Sequence, residues 1–254
     1  AQPDAFYAMP MIVLHDFFFA GGAKETTFPF QLVNNHIYAD VKINGQGPYT
    51  FIFDTGGLNL VTPPLAKTLG LKVEGNMDAR GGGSGTMSAG MTKVARVDLG
   101  GATITDQSFM SLPLDSMENM EGIPMPGMIG FETFRRFVTR VDYGNKTITL
   151  IIPKDFDPQD AGIAVPIVFD GNDVEIEGSY EGFPGKFVID TGARQTLMLN
   201  SPFVAKNNLH NASVKGGEAV TGWGVGGPTT AFVTHGGLLK IGNVDVKGPL
   251  VLLT

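Results

Sequence analysis

Along the 254-residue chain the apolar positions come in short runs of β-branched and aromatic residues, broken every few positions by Gly, Pro or Asn. Runs of that length and punctuation predict strands joined by tight turns, so the fold class is mainly β. Three stretches instead predict short helices: 64–70 (PLAKTLG), 130–137 (GFETFRRF) and 202–208 (PFVAKNN). The 35 glycines and 16 prolines are too many for a helical protein and agree with the strand reading.

The pattern also repeats itself, and repetition bounds the architecture before any motif does. Residues 40–57 read DVKINGQGPYTFIFDTGG and residues 173–193 read DVEIEGSYEGFPGKFVIDTGA. Each copy holds a D-V-[KE]-I strand, a Gly-rich turn, an apolar strand, and Asp-Thr-Gly before a small residue. Downstream, 62–67 (TPPLAK) is echoed by 201–206 (SPFVAK), and 97–104 (VDLGGATI) by 239–246 (LKIGNVDV). Two copies of one β-rich unit follow: a first lobe over 30–152, an acidic linker over 153–164 and a second lobe over 165–254. Residues 1–29 match neither copy. The first copy continues to Met128-Ile129-Gly130 and a strand pair, 138–143 and 147–152, about the turn at Gly144-Asn145. Applied to the second copy, the same offset places its Gly130 counterpart past Thr254. The second lobe is therefore expected to be cut short at its C-terminal end.

The repeated turn carries chemistry. Phe51-Ile52-Phe53 and Phe187-Val188-Ile189 each deliver a carboxylate, Asp54 or Asp190, from an apolar strand into a turn. An unpaired carboxylate is normally excluded from such surroundings. The following Gly allows close backbone approach, and the Thr hydroxyl can bond neighbouring backbone to lock the loop. Brought together by a pseudo-twofold axis, the two carboxylates would share a proton, because like charges in contact cannot both ionise. One partner then deprotonates a water while the other polarises a carbonyl. A lone D-T-G reads as a tight turn; two copies at equivalent points of a repeat reverse that reading.

Composition removes other classes. A net charge of −7 with scattered Lys and Arg argues against nucleic acid. Without cysteine there is no disulfide framework, thiolate metal site or thiol nucleophile. His15, His36, His210 and His235 lack ligand spacing, so neither metal nor cofactor is expected. Ser84 and Ser201 lie in no G-x-S-x-G, and GGGSG lacks the Lys-Ser/Thr of a phosphate loop. The apolar stretch Met9–Ala20 is too short to span a membrane and contains Pro10, His15 and Asp16; it reads as a packed strand or helix. Met110, Met117, Met120, Met125 and Met128 cluster in an expected loop, as adaptable packing or the wall of a cleft.

D-T-G-[GA] after apolar residues resembles the active-site signature of retropepsin-like aspartic proteases, and 127–150 (GMIGFETFRRFVTRVDYGNKTITL) is similar to bacterial members with two such units in one chain. The resemblance covers most of 30–254. It implies two related lobes of a closed acid-protease β-barrel with a cleft between them. Asp54 and Asp190 would bind the attacking water, Thr55 and Thr191 would interlock the loops, and Gly56 and Gly192 would shape the turns. Ile129 and Gly130 would support the Asp54 loop; the second copy has no visible counterpart. The flap would fall at Arg80–Gly85, namely Gly81, Gly82, Gly83, Ser84 and Gly85, with a second flap near Trp223 and the following GGPTT. An ordinary hairpin tip and a packing role are the plain alternatives for these two segments.

The expected function is endopeptidase cleavage of an extended polypeptide, with no dimer required because both aspartates lie in one chain. The resemblance implies a periplasmic or secreted location, and the Ala1 start agrees with a removed signal peptide or with simple trimming. The alternative is a peptide-binding protein that keeps the fold without turnover. A carboxylate-pair glycoside hydrolase is disfavoured by the paired D-T-G turns.

Overall fold

In His36–Ile43 (HIYADVKI), Ile37, Ala39, Val41 and Ile43 are buried while Asp40 and Lys42 face out, the two-residue period of a strand over a core. The same logic runs through the computed structural model, which describes residues 5–8, 16–171, 173–211 and 213–254 and is mainly β. In chain order come β1 (Ala5–Ala8), β2 (Phe17–Phe19), β3 (Glu25–Pro29), β4 (Gln31–Val33), β5 (His36–Ile43), β6 (Gln46–Phe53) and β7 (Leu60–Val61). Helix α1 (Pro63–Thr68), β8 (Glu74–Ala79), β9 (Met87–Leu99), β10 (Ala102–Ser111), α2 (Asp115–Glu121), β11 (Gly127–Ile129) and α3 (Phe131–Phe134) follow. Strands β12 (Val138–Asp142) and β13 (Thr147–Ile151) then lead into the linker. Beyond it lie β14 (Ile167–Asp170), β15 (Asp173–Tyr180), β16 (Phe183–Val188), β17 (Leu197–Leu199) and α4 (Ser201–Lys206). The chain continues through β18 (Gly216–Gly224), β19 (Gly227–His235), β20 (Leu238–Ile241), β21 (Val244–Lys247) and β22 (Leu250–Leu253).

The repeat is visible in the pairing. Each D-V-[KE]-I strand forms an antiparallel hairpin with the strand leading to its aspartate, β5 with β6 and β15 with β16. Each short strand after the aspartate pairs in parallel with the last strand of its hairpin series, β7 with β10 and β17 with β22. In the first copy the pairings return on themselves through β10, β7, β11, β6, β5 and β9. That ring encloses a core containing Phe51, Phe53, Val61, Val94, Leu99 and Phe109. The second copy divides into two sheets, one of β14, β15, β16, β20 and β21 and the other of β17, β22, β19 and β18. The physical reason is one strand: β11 pairs with both β6 and β7, and among the described residues no strand bridges β16 and β17.

The segment that matched neither copy is built into the first sheets. Strands β1 and β3 flank β12 and β13 in one four-stranded sheet, and β2 pairs with β10. Of Met9–Ala20, residues 9–15 lie outside the described residues and 17–19 form β2. No described helix is long and apolar enough to cross a membrane. The methionine-rich stretch is not all loop, because α2 occupies its centre. Asp115 and Glu118 complement the helix N-terminus, and Gly122 closes it in the left-handed conformation at φ 72°. The helix expected over 130–137 is shorter, Phe131–Phe134.

Candidate active site

The triplet before Asp54 is apolar throughout because β6 is covered on both faces. Phe51 and Phe53 point into the main core, and Ile52 joins Tyr38, Leu60, Leu112, Leu114 and Met125 on the other side. The chain then turns. Asp54 is 8% exposed, and its Oδ1 accepts hydrogen bonds from the backbone N–H of Gly56 (2.8 Å) and Gly57 (2.9 Å). Asp190 repeats the turn, its Oδ1 accepting from Gly192 N–H at 2.8 Å, but it is exposed.

The two loops interlock reciprocally. Thr55 N–H donates to Thr191 Oγ1 (3.0 Å) and Thr191 N–H to Thr55 Oγ1 (2.9 Å). Each hydroxyl then donates across the boundary, Thr55 to the Ile189 carbonyl (2.7 Å) and Thr191 to the Phe53 carbonyl (2.8 Å). Threonine suits the position because one hydroxyl both accepts and donates, so no buried group is left unpaired. The glycines face the opposite carboxylates. A Cβ on Gly192 would lie 2.3 Å from Asp54 Cγ, and one on Gly56 would lie 3.2 Å from Asp190 Cγ. Each aspartate thus sits against the other loop's glycine.

Burial, and next to it the Asp190 charge, pushes the Asp54 carboxyl up to about 7. Below about pH 7 Asp54 therefore holds a proton while sitting beside an exposed carboxyl. Such a site can offer a proton from one side and accept one on the other.

Support for Asp54 comes from its own lobe. Asp54 N–H donates to the Ile129 carbonyl and Phe131 N–H to the Gly57 carbonyl, both at 2.9 Å. Gly130 N–H donates to Asn59 Oδ1 at 2.9 Å. A Cβ on Gly130 would fall 2.2 Å from the Gly57 carbonyl oxygen, so only glycine fits. Asn59, 5% exposed, was not singled out from sequence. Its signal was the amide that both copies carry five residues after the aspartate, Asn59 and Gln195.

The glycine-rich loop between β8 and β9 meets the tip of the β18–β19 hairpin. Gly226 N–H donates to the Gly82 carbonyl (2.7 Å), Gly85 N–H donates to the Gly226 carbonyl (2.8 Å), and Gly83 bridges Gly226. Gly81 lies beside Val225, which packs against the cluster containing Tyr38, Ile52, Ala79 and Ala89. Ser84 is exposed and Trp223 is 42% exposed on β18, opposite Pro228. Met110, Met117, Met125 and Met128 line the same apolar cluster as Val225 and Ile52; Met120 does not. Met128 also approaches the site, with its sulfur 2.6 Å from where a Gly57 Cβ would be. Among the described residues no three His, Asp or Glu side chains gather as metal ligands.

A sequence model of the family described as aspartyl protease matches residues 39–133, the segment holding Asp54, Asn59 and Gly130. No curated protein sequence matches the chain. Among solved structures, a retropepsin-like aspartic protease from Rickettsia conorii is similar, with 19% identity and a TM-score of 0.36 over 50% of this chain and 89% of that one. Basic 7S globulin from soybean is similar with 12% identity and a TM-score of 0.44, over 89% of this chain and 81% of that one. The resemblance to retropepsin-like aspartic proteases read from the paired turns thus finds support in the family match to the first copy.

Proposed function

We propose that the chain is an aspartic endopeptidase that hydrolyses peptide bonds with a water held between Asp54 and Asp190. One observation carries the reading: two D-T-G carboxylates from different copies are held beside each other by the reciprocal Thr55–Thr191 bonds. In this reading Asp190, the exposed carboxylate, takes a proton from the water as its oxygen attacks the peptide carbonyl carbon. Asp54, protonated, gives its proton to the carbonyl oxygen. Collapse of the tetrahedral species breaks the C–N bond: one of its hydroxyls returns a proton to Asp54 as the carbonyl re-forms, and the proton held by Asp190 passes to the leaving amine. The hairpin tips over 81–85 and 224–227 would part to admit an extended substrate and then shield it from water.

The test is cleavage of a mixed peptide library from acid to neutral pH by the wild type, Asp54→Asn and Asp190→Asn. Cuts that vanish in both variants, with wild-type activity falling as pH rises through about 7, support the reading. A folded wild type that binds peptides without cutting them would replace it with the non-catalytic, peptide-binding alternative.

A further inference from the structure

The two aspartate loops are held by different means. Strand β11 and Asn59 hold the Asp54 loop within its own lobe. The equivalent backbone around Asp190 has no such partner among the described residues, and Val188, the counterpart of buried Ile52, is 45% exposed. Yet residues 192–194 are not loose, because three contacts reach them from the first lobe.

All three contacts begin at the β4–β5 hairpin and the end of α2. Val33 pairs with His36 across a two-residue turn, Asn34-Asn35, with φ of 50° and 68°. Asparagine tolerates that left-handed pair, which gives a tight turn with a fixed exit direction. From it Asn35 Nδ2 donates to the Arg194 carbonyl at 2.9 Å. His36 Nε2 lies 3.0 Å from the Gly192 carbonyl; a carbonyl only accepts, so this nitrogen carries the proton. On the ring's other side Nδ1 lies 3.2 Å from Glu121 Oε2. Glu121 Oε1 stands 3.7 Å from the Arg194 guanidinium, and Asn34 Nδ2 donates to Oε2 at 3.0 Å. His36 and Glu121 side chains are 10% and 7% exposed.

We propose that Asn35, His36 and Glu121 form a latch that positions the Asp190 loop across the lobe boundary, doing for the second carboxylate what β11 and Asn59 do for the first. The proposal rests on the aspartic peptidase reading for its kinetic consequences, though not for its structural ones. His36 is a positioning residue that acts through the Gly192 carbonyl, two residues from Asp190. Displacing a reacting group by about 1 Å costs on the order of 10²-fold in rate. Slackening the loop also moves the Asp190 charge away from Asp54, and with it one of the causes that hold the Asp54 carboxyl high.

The test compares wild type, His36→Ala, His36→Gln and Glu121→Gln by peptide cleavage across pH, thermal unfolding and amide hydrogen exchange over residues 190–195. Gln reaches about as far as Nε2 and keeps a donor for the Gly192 carbonyl. The expected result for His36→Ala is a fall in kcat of about 10- to 100-fold with KM little changed. Its alkaline activity limb moves to lower pH, and exchange at 190–195 quickens at least about tenfold. His36→Gln restores most of each, and Glu121→Gln shows a weaker loss in the same direction. Wild-type kcat and pH profile in His36→Ala would overturn the latch. So would a loss that only tracks the unfolded fraction and is not rescued by Gln. If His36→Ala does not fold, Glu121→Gln decides by the same readouts. If the wild type cuts nothing, the peptidase reading fails while exchange at 190–195 still judges the latch: quickened in the variants, it stands; unchanged, it falls.

Discussion

The loops of Asp54 and Asp190 share a sequence and a turn yet sit in unlike surroundings, and the difference bears on the roles proposed for them. Asp54 follows a strand covered on both faces, is anchored by Ile129 and Asn59, and lies 8% exposed. Asp190 follows a strand paired on one side only, is anchored from the other lobe, and is exposed. Burial favours the neutral carboxyl, and with the Asp190 charge beside it raises Asp54, the enclosed member. In the proposed reaction, two copies of one motif would serve as acid and base through their different neighbours.

The contrast can be broken at the glycines first. Gly192→Ala drives a methyl into Asp54, at 2.3 Å from its carboxyl carbon, whereas Gly56→Ala meets Asp190 at 3.2 Å, where the exposed side chain can yield. Peptide-cleavage kinetics should show Gly192→Ala losing on the order of 10³-fold in kcat/KM and Gly56→Ala under about tenfold. Equal losses would mean that the two carboxylates are equally confined.

The +5 amides give a smaller effect. Asn59→Ala strands the Gly130 N–H in a buried site and should cost about 1–3 kcal/mol in urea unfolding. Gln195 makes one long bond, 3.3 Å to the Thr221 carbonyl, and its replacement by Ala should stay within about 0.5 kcal/mol. Similar costs at both positions would erase the asymmetry of support.

The smallest effect is on stability with pH. Because the Asp54 carboxyl is raised in the fold, its contribution is full below the ordinary carboxylate value of 3.8 and is lost as pH rises through about 7. Tm of the wild type should therefore fall by a few degrees over that window relative to Asp54→Asn, which has no such proton to lose. Parallel Tm curves would contradict a buried, protonated Asp54.

Much of this was legible in the sequence. The two D-T-G turns, the helices after them and the Met128-Ile129-Gly130 element were marked by local pattern: an apolar triplet, a Pro at a helix start, an apolar pair before Gly; that residues 127–129 form strand β11 was not. Asn35, His36, Glu121 and Arg194 were not, because nothing local marks them. His36 lies 85 residues before Glu121, and Glu121 lies 73 before Arg194 in the other lobe; only the folded chain brings them together. Helix α2 was read as loop because its methionines obscured the acidic first turn and the glycine that closes it. The pairing of β1, β2 and β3 was equally hidden, since a strand added to a repeat has no copy to be recognised by.

The central claim, that Asp54 and Asp190 act as one proton-sharing pair, is tested most directly by carboxyl-carbon NMR titration of Asp54 in the wild type and in Asp190→Asn. The account predicts that Asp54 titrates near 7 in the wild type and distinctly lower in the variant, since burial remains but the neighbouring charge is gone. The same midpoint in both proteins would show that the two carboxyls do not interact, and the dyad would have to be abandoned.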